Sequence, residues 1–244
     1  MNKTVGLDEV MTRLKDGMTI MFGGFGGVGS PPSLIDAILE ANIQDLTLIG
    51  NDAGFPQIGV GRLITEGRVK KIIASHIGSN PIAGQKMQAG TLDVHFYPQG
   101  ILAEKIRAGG MGLAGIVTDV GMDSLNLDEK QLVELNGKNY MLEPALTADI
   151  AIVNAYKADE VGNLIFDKSA RNTNPIVAMA GDWTIAEAEE IVGAGQLDPE
   201  EIVTPGVFVN QIVQSKGVNW TWAWETSIYD TALPKEQHKK LKMA

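Results

Sequence analysis

Apolar residues along this chain fall into short blocks of two kinds. Leu7, Val10, Met11 and Leu14 recur at helical spacing, and Asp16-Gly17 ends that run. Residues 19–22 (TIMF) form a continuous apolar run, as a buried strand does, and a glycine-rich stretch follows at 23–29. Ser30 and Pro31 then suit the cap and first-turn positions of a helix, with Leu34, Ile35, Ile38 and Leu39 as its buried stripe. Segments 46–49 (LTLI), 69–75 (VKKIIAS) and 92–97 (LDVHFY) read as further strands. They close in 50–54 (GNDAG), in His76 and in 98–100 (PQG). Residues 101–108 make a short helix with Ile101, Leu102 and Ile106 turned inward.

Strands alternating with helices imply an α/β fold built on a doubly wound, mostly parallel sheet. The pattern changes after residue 130. Segments 131–135 and 138–142 flank Asn136-Gly137, a two-residue hairpin signal. Segments 149–156 (DIAIVNAY) and 175–180 (PIVAMA) read as buried strands, and Gly162-Asn163 as a turn. No repeat and no low-complexity linker divides the chain. The expectation is a single domain over 1–244 with a β-rich elaboration. In the tail, 216–244, Trp220, Trp222 and Trp224 alternate, Tyr229 follows, and the end is basic. Such a tail packs on its own domain or on a partner.

Composition narrows the function classes. The 244 residues carry a net charge of −10, which argues against non-specific binding to nucleic acid or to an anionic membrane. No cysteine is present, so disulfides, thiolate metal ligands and a cysteine nucleophile are excluded. The three histidines, His76, His95 and His238, are too scattered to suggest a metal site. No apolar run approaches the ~20 residues of a membrane span, and the first residues lack a leader's apolar core. A cytoplasmic protein is the expectation.

Candidate chemistry lies in the loops after the strands. Open parallel sheets bind ligands at the carboxyl ends of their strands, so loops 23–29, 51–54, 76–80 and 99–100 should converge on one face. Gly24, Phe25, Gly26, Gly27, Val28 and Gly29 match G-x-G-x-x-G between a strand and a helix. A dinucleotide site would also need an acid at the end of the second strand. Neither Asp45 nor Asp52 is well placed for that, and Pro31 and Pro32 remove donors from the helix start. Backbone N–H groups of residues 24–29 remain possible donors. Amide side chains at the strand ends, Gln99 with its neighbour Gly100 and Asn51, are candidates to hold an acyl carboxylate or to face a developing oxyanion. His76 suits orienting a loop better than acid–base work; His95 reads as packed or edge-exposed. Lys105 and Arg107 read as solvated helix charges or as phosphate contacts.

The longer string Asp16-Gly17-Met18-Thr19-Ile20-Met21-Phe22-Gly23-Gly24-Phe25-Gly26-Gly27-Val28-Gly29-Ser30-Pro31 resembles the first signature of the class I coenzyme A transferases. Gly50-Asn51-Asp52-Ala53-Gly54, Ser75-His76-Ile77-Gly78-Ser79-Asn80-Pro81 and Pro98-Gln99-Gly100 resemble that family's next loops. Ser169-Ala170-Arg171-Asn172, Asn174-Pro175 and Thr204-Pro205-Gly206 are similar to its A (alpha) subunits, and the resemblance runs from about residue 5 to about residue 215.

The resemblance implies a subunit that helps move coenzyme A between short-chain carboxylic acids, acetoacetate with acetate or butyrate fitting best. Coenzyme A is then a substrate, no cofactor is permanently bound, and no metal takes part. It also implies a glutamate nucleophile in S-E-N-G on a B (beta) subunit, within an α2β2 assembly. This chain has no S-E-N-G. Glu134-Leu135-Asn136-Gly137 is better explained as the hairpin turn, and Glu225 stands alone. Catalytic residues are therefore expected on the partner. This chain would supply Gly24, Phe25, Gly26, Gly27, Val28, Gly29 and Ser30 to the coenzyme, and Gln99, Asn51 and Gly100 to the acyl group, with His76 and Asn80 orienting loops. Two other readings are a sugar-phosphate or nucleotide sensor on a related sheet, and a dinucleotide-dependent dehydrogenase.

Overall fold

The computed structural model describes residues 2–123 and 131–218. The segment from Trp220 onward, with Trp222, Trp224, Glu225, Tyr229 and His238, lies outside the described residues.

The apolar runs become the middle of a large sheet. β1 (Thr19–Phe22) lies between β2 (Leu46–Ile49) and β8 (Ala148–Asp159). Outward from β2 come β3 (Val69–Ala74) and β4 (Asp93–Phe96); outward from β8 come β10 (Gly181–Val192) and β11 (Gln211–Gln214). All six of these pairings are parallel, and the two-residue β9 (Leu164–Ile165) adds antiparallel to β8. The chain thus winds from β1 toward β4, then crosses to β8 and winds the other way. The order reverses beside β1, where open α/β sheets hold ligands.

Alternate side chains leave the sheet on opposite faces. Ile20 and Phe22 join the core with Leu34, Ile35 and Ile38 of α2 (Pro32–Glu40), with Val10 of α1 (Leu7–Met11), and with α3 (Gly61–Thr65) and α4 (Pro81–Gln88). Met21 points the other way, into a core with Leu102 and Ile106 of α5 (Gln99–Gly110) and Val177 of α6 (Asn174–Met179). Helices therefore cover both faces, as doubly wound sheets require.

The β-rich elaboration is a separate antiparallel sheet of β5 (Gly115–Thr118), β7 (Lys138–Pro144) and β6 (Gln131–Leu135). Asn136 and Gly137 turn its hairpin with φ of 52° and 74°, the left-handed geometry of a two-residue loop. Glu134 pairs across this hairpin with Asn139 and is exposed.

Three expectations are corrected. Segment 175–180 is helical, not extended: a short apolar run does not declare its period, whereas Pro175 in the first turn marks a helix start. Ser30 does not cap α2; the cap position is Pro31, and Ser30 Oγ donates to the Gly27 carbonyl at 2.6 Å. Lys105 is not solvated. It is 2% exposed, with Nζ 2.6 Å from Glu143 Oε2 and 4.0 Å from the centre of the Tyr97 ring, and so pins α5 to β7. Arg107 does face solvent and pairs with Glu104 one turn back.

Candidate functional site

The loops after β1, β2 and β4 meet at the switch point. They border a pocket of about 320 Å³ lined by Phe25, Asn51, Gln99, Leu102, Ile106 and Asn172, among others. No lining residue carries a carboxylate. Gln99 is the first residue of α5, so the pocket opens onto a helix N-terminus. The first intrahelical bond of that turn runs from Leu102 N–H to the Pro98 carbonyl, leaving earlier N–H groups without a helical acceptor. Gly100 is exposed, and a Cβ placed on it would meet nothing within 4 Å beyond its chain neighbours and its own helix backbone.

A chain of hydrogen bonds fixes the amide orientations here. Asp52, 2% exposed, accepts from Asn51 Nδ2 at 2.8 Å, from Gly26 N–H at 2.9 Å and from Gly54 N–H at 2.8 Å. A carboxylate only accepts, so Asn51 must turn its Nδ2 toward Asp52 and its Oδ1 away. Gln99 then has to donate: its Nε2 lies 2.8 Å from Asn51 Oδ1. That leaves Gln99 with one amide hydrogen and its own Oε1 for a ligand. Asn51 is buried and links Gln99 to Asp52.

The glycine loop is a tight hairpin. Phe25 and Val28 exchange both backbone bonds around Gly26 and Gly27, whose φ values of 57° and 92° suit glycine. Four of the donors expected to be free along 24–29 are taken. Gly24 N–H donates to Asn172 Oδ1 at 3.1 Å, Gly26 N–H to Asp52, and Phe25 and Val28 to each other. What the loop offers the pocket is the half-exposed ring of Phe25. Gly29 and Ser30 are buried behind it.

The start of α2 is already filled. Glu187 of β10, fully buried, accepts from Leu34 N–H at 3.0 Å, Ser33 Oγ at 2.7 Å and Ser215 Oγ at 2.6 Å. Burial pushes its carboxyl above the ordinary value, against the opposing pull of the Ser215 and Ser33 hydrogen bonds. A pyrophosphate bound in the dinucleotide manner would need this place, so the G-x-G-x-x-G match has no anion site behind it.

The other sequence candidates lie apart from the pocket lining. His76 is exposed; its backbone bridges Asp52, and its Nδ1 is 3.2 Å from Ser75 Oγ. Asn80 is buried, accepts from Ala83 N–H to cap α4 and donates to the Ala53 carbonyl, joining the third loop to the second. His95 is on edge strand β4 beside Asp93. Among the described residues no group of His, Asp and Glu could hold a metal ion, and no helix is long and apolar enough to cross a membrane.

Sequence reasoning passed over Asp52 and Asn172 as site residues. Asn172 accepts from Gly24 N–H and donates from Nδ2 to the Val28 carbonyl at 2.9 Å. Asn174, fully buried, donates to the Gly29 carbonyl and accepts from Asn154 N–H. Both hold the glycine loop from about 145 residues away, so only the family-like strings Ser169-Ala170-Arg171-Asn172 and Asn174-Pro175 carried any signal for them.

Comparisons with known proteins identify the family. The family model described as coenzyme A transferase matches residues 6–215. The chain is 60% identical over 224 residues to a probable coenzyme A transferase subunit alpha of Bacillus subtilis (strain 168), covering 91% of this chain and 98% of that one. It is 44% identical over 213 residues to the acetoacetyl-CoA:acetate/butyrate CoA transferase alpha subunit of Clostridium acetobutylicum, covering 87% and 98%. Its fold is similar to that of an acyl-CoA transferase from Escherichia coli O157:H7, with a TM-score of 0.80 at 22% identity over 91% of this chain. The chain spans about half (48%) of that structure's chain. The family model's match over residues 6–215 and the two alpha-subunit relatives show that the chain belongs to the coenzyme A transferase family.

Proposed function

We propose that this chain is the A (alpha) subunit of an enzyme that moves coenzyme A between short-chain carboxylic acids, acetoacetate with acetate or butyrate. The observation that carries the reading is the Asp52–Asn51–Gln99 relay, which aims an amide with one spare donor into an apolar-walled pocket at the switch point. The name of the Clostridium relative supports the acid pair.

The reaction needs a carboxylate nucleophile, which this pocket lacks, so a glutamate of a partner B (beta) subunit supplies it. That carboxylate attacks the carbonyl carbon of the acyl-CoA; the C–S bond breaks, and a mixed anhydride and the coenzyme A thiolate form. The thiolate attacks the glutamyl carbonyl carbon and releases the donor acid as a carboxylate, leaving a glutamyl thioester. The acceptor carboxylate then takes the coenzyme by the same steps reversed. Both nucleophiles are anionic from the start, so no general base is required.

Gln99 donates to the oxygen of the acyl group or of the free acid, and the start of α5 favours negative charge there. Leu102 and Ile106 hold the short carbon chain, and the Phe25 ring shields it. Gly100 leaves room beside Gln99. The glycine hairpin shapes the wall against which the pantetheine arm lies, with Asn80 tying the loops beneath. The working unit is a hetero-oligomer, α2β2 in the simplest closed form. The test is reconstitution. Acetoacetyl-CoA with acetate should exchange when both subunits are mixed and not with either alone. Full exchange by this chain alone contradicts the proposal.

A further inference from the structure

A second pocket, of about 470 Å³, adjoins the first and shares Phe25 and Asn172 with it; its other lining residues are Val28, Lys168, Ser169 and Arg171. The family match does not explain its chemistry. Two cations line it in a chain whose net charge is −10. They sit at the two ends of a 3-10 turn, Lys168–Arg171. Both line the one pocket, so their side chains reach the same basin.

Neither head is committed to the fold. Arg171 is exposed and forms no ion pair among the described residues. Lys168 Nζ touches Asp167 at 2.9 Å, but its side chain is 85% exposed. The turn that carries them is held firmly. Lys168 sits at φ 45°, a left-handed backbone that a non-glycine residue adopts only under constraint. Asn172 Nδ2 ties the Ser169 carbonyl to that of Val28, and a Cβ on Gly29 would come within 2.4 Å of the Ala170 carbonyl. The cationic turn is therefore fastened to the glycine hairpin.

An apolar slot that ends at an amide, continuing into a cationic basin, matches a ligand with an acyl arm and a phosphorylated head. We propose that Lys168 and Arg171 bind the phosphates at the nucleotide end of the acyl-CoA. Arg171 offers a planar fork of N–H donors suited to phosphate oxygens, and Lys168 a mobile point charge. This rests on the proposed function and assigns the part of the substrate that it leaves unplaced.

The test compares two thioesters on the reconstituted complex: acetoacetyl-CoA, and acetoacetyl-pantetheine, which has no phosphate. For Arg171→Gln and for Lys168→Ala/Arg171→Gln, the ratio of kcat/KM for the first to that for the second should fall about ten-fold or more relative to wild type, as expected for loss of a charged hydrogen bond. Adenosine 3′,5′-bisphosphate should compete with acetoacetyl-CoA on the wild-type complex and lose most of its inhibition on the double variant. An unchanged ratio, or an equal loss with both thioesters, overturns the inference. So does failure of the variants to assemble with the partner on a sizing column, which would make this turn a subunit contact. The two proposals fail separately. An unchanged ratio beside an inactive Gln99→Ala complex removes only the phosphate site; a fallen ratio beside a fully active one removes only the acyl role of Gln99.

Discussion

Two helices of this molecule begin just beyond a strand of the central sheet, and their N-termini meet opposite fates. α2 follows the glycine hairpin, the place where a sequence motif promises an anion site. α5 follows Pro98, with no glycine motif before it. At α2 the orphan donors are taken by Glu187, brought in by β10 from 153 residues away. At α5 no side chain caps the first turn, and Gln99 and Gly100 face a pocket. The motif marks a tight turn; the helix end that the fold leaves open is the one to which the proposed function assigns the substrate. Glycine spacing reports backbone shape, while vacancy depends on what distant segments deliver.

That contrast breaks if the two ends respond alike to mutation. Gln99→Ala at the open end should lower turnover of the assembled complex by roughly 10²-fold, because one amide hydrogen and Oε1 face a ligand, and should cost only about 1 kcal/mol of stability for the single bond lost to Asn51 Oδ1. Steady-state kinetics and a thermal melt check both halves. Glu187→Ala at the closed end should do the reverse. It strands Leu34 N–H and the Ser33 and Ser215 hydroxyls in the core, for a loss of about 2 kcal/mol in chemical denaturation, with kcat/KM for acetoacetyl-CoA falling much less than for Gln99→Ala.

Gly100→Ala sharpens the comparison. Alanine is the better helix former, by up to about 1 kcal/mol, and its methyl would meet nothing beyond its neighbours and its own helix backbone. A slightly higher melting temperature together with a several-fold higher KM is expected, since the methyl enters the space assigned to substrate. An unchanged KM would place the substrate elsewhere.

The smallest effect is a pH slope. Glu187 holds its proton more tightly folded than unfolded. Between the ordinary glutamate value and its raised one, the folded chain binds more protons, so this group makes stability fall as pH rises through that window. Glu187→Gln should flatten that part of the stability–pH curve, read by denaturation at a series of pH values.

Much of the fold was legible because parallel strands buried on both faces read as plain apolar runs. β1, β2 and β8 were visible that way, β3 only by its Ile72-Ile73-Ala74 end, and Asn136-Gly137 named its own hairpin. β10 was not. Asp182, Glu187, Glu189 and Glu190 interrupt its apolar pattern, and the buried member of that set is intelligible only once Ser33 and Ser215 stand beside it. Lys105 misled for the same reason: a lysine on a helix looks solvated until Glu143 and Tyr97 close around it. Gln99 and Asn51 stood out by their position at strand ends. What sequence could not supply was their order in the relay, which follows from Asp52 being able only to accept.

The central claim is that this chain builds a pocket whose reactive carboxylate comes from another chain. It is tested most directly by incubating the reconstituted complex with acetoacetyl-CoA, quenching in acid and weighing both polypeptides by intact-mass spectrometry. The account predicts a coenzyme A adduct on the partner and an unmodified mass for this one. A coenzyme A thioester on the 244-residue chain would contradict it.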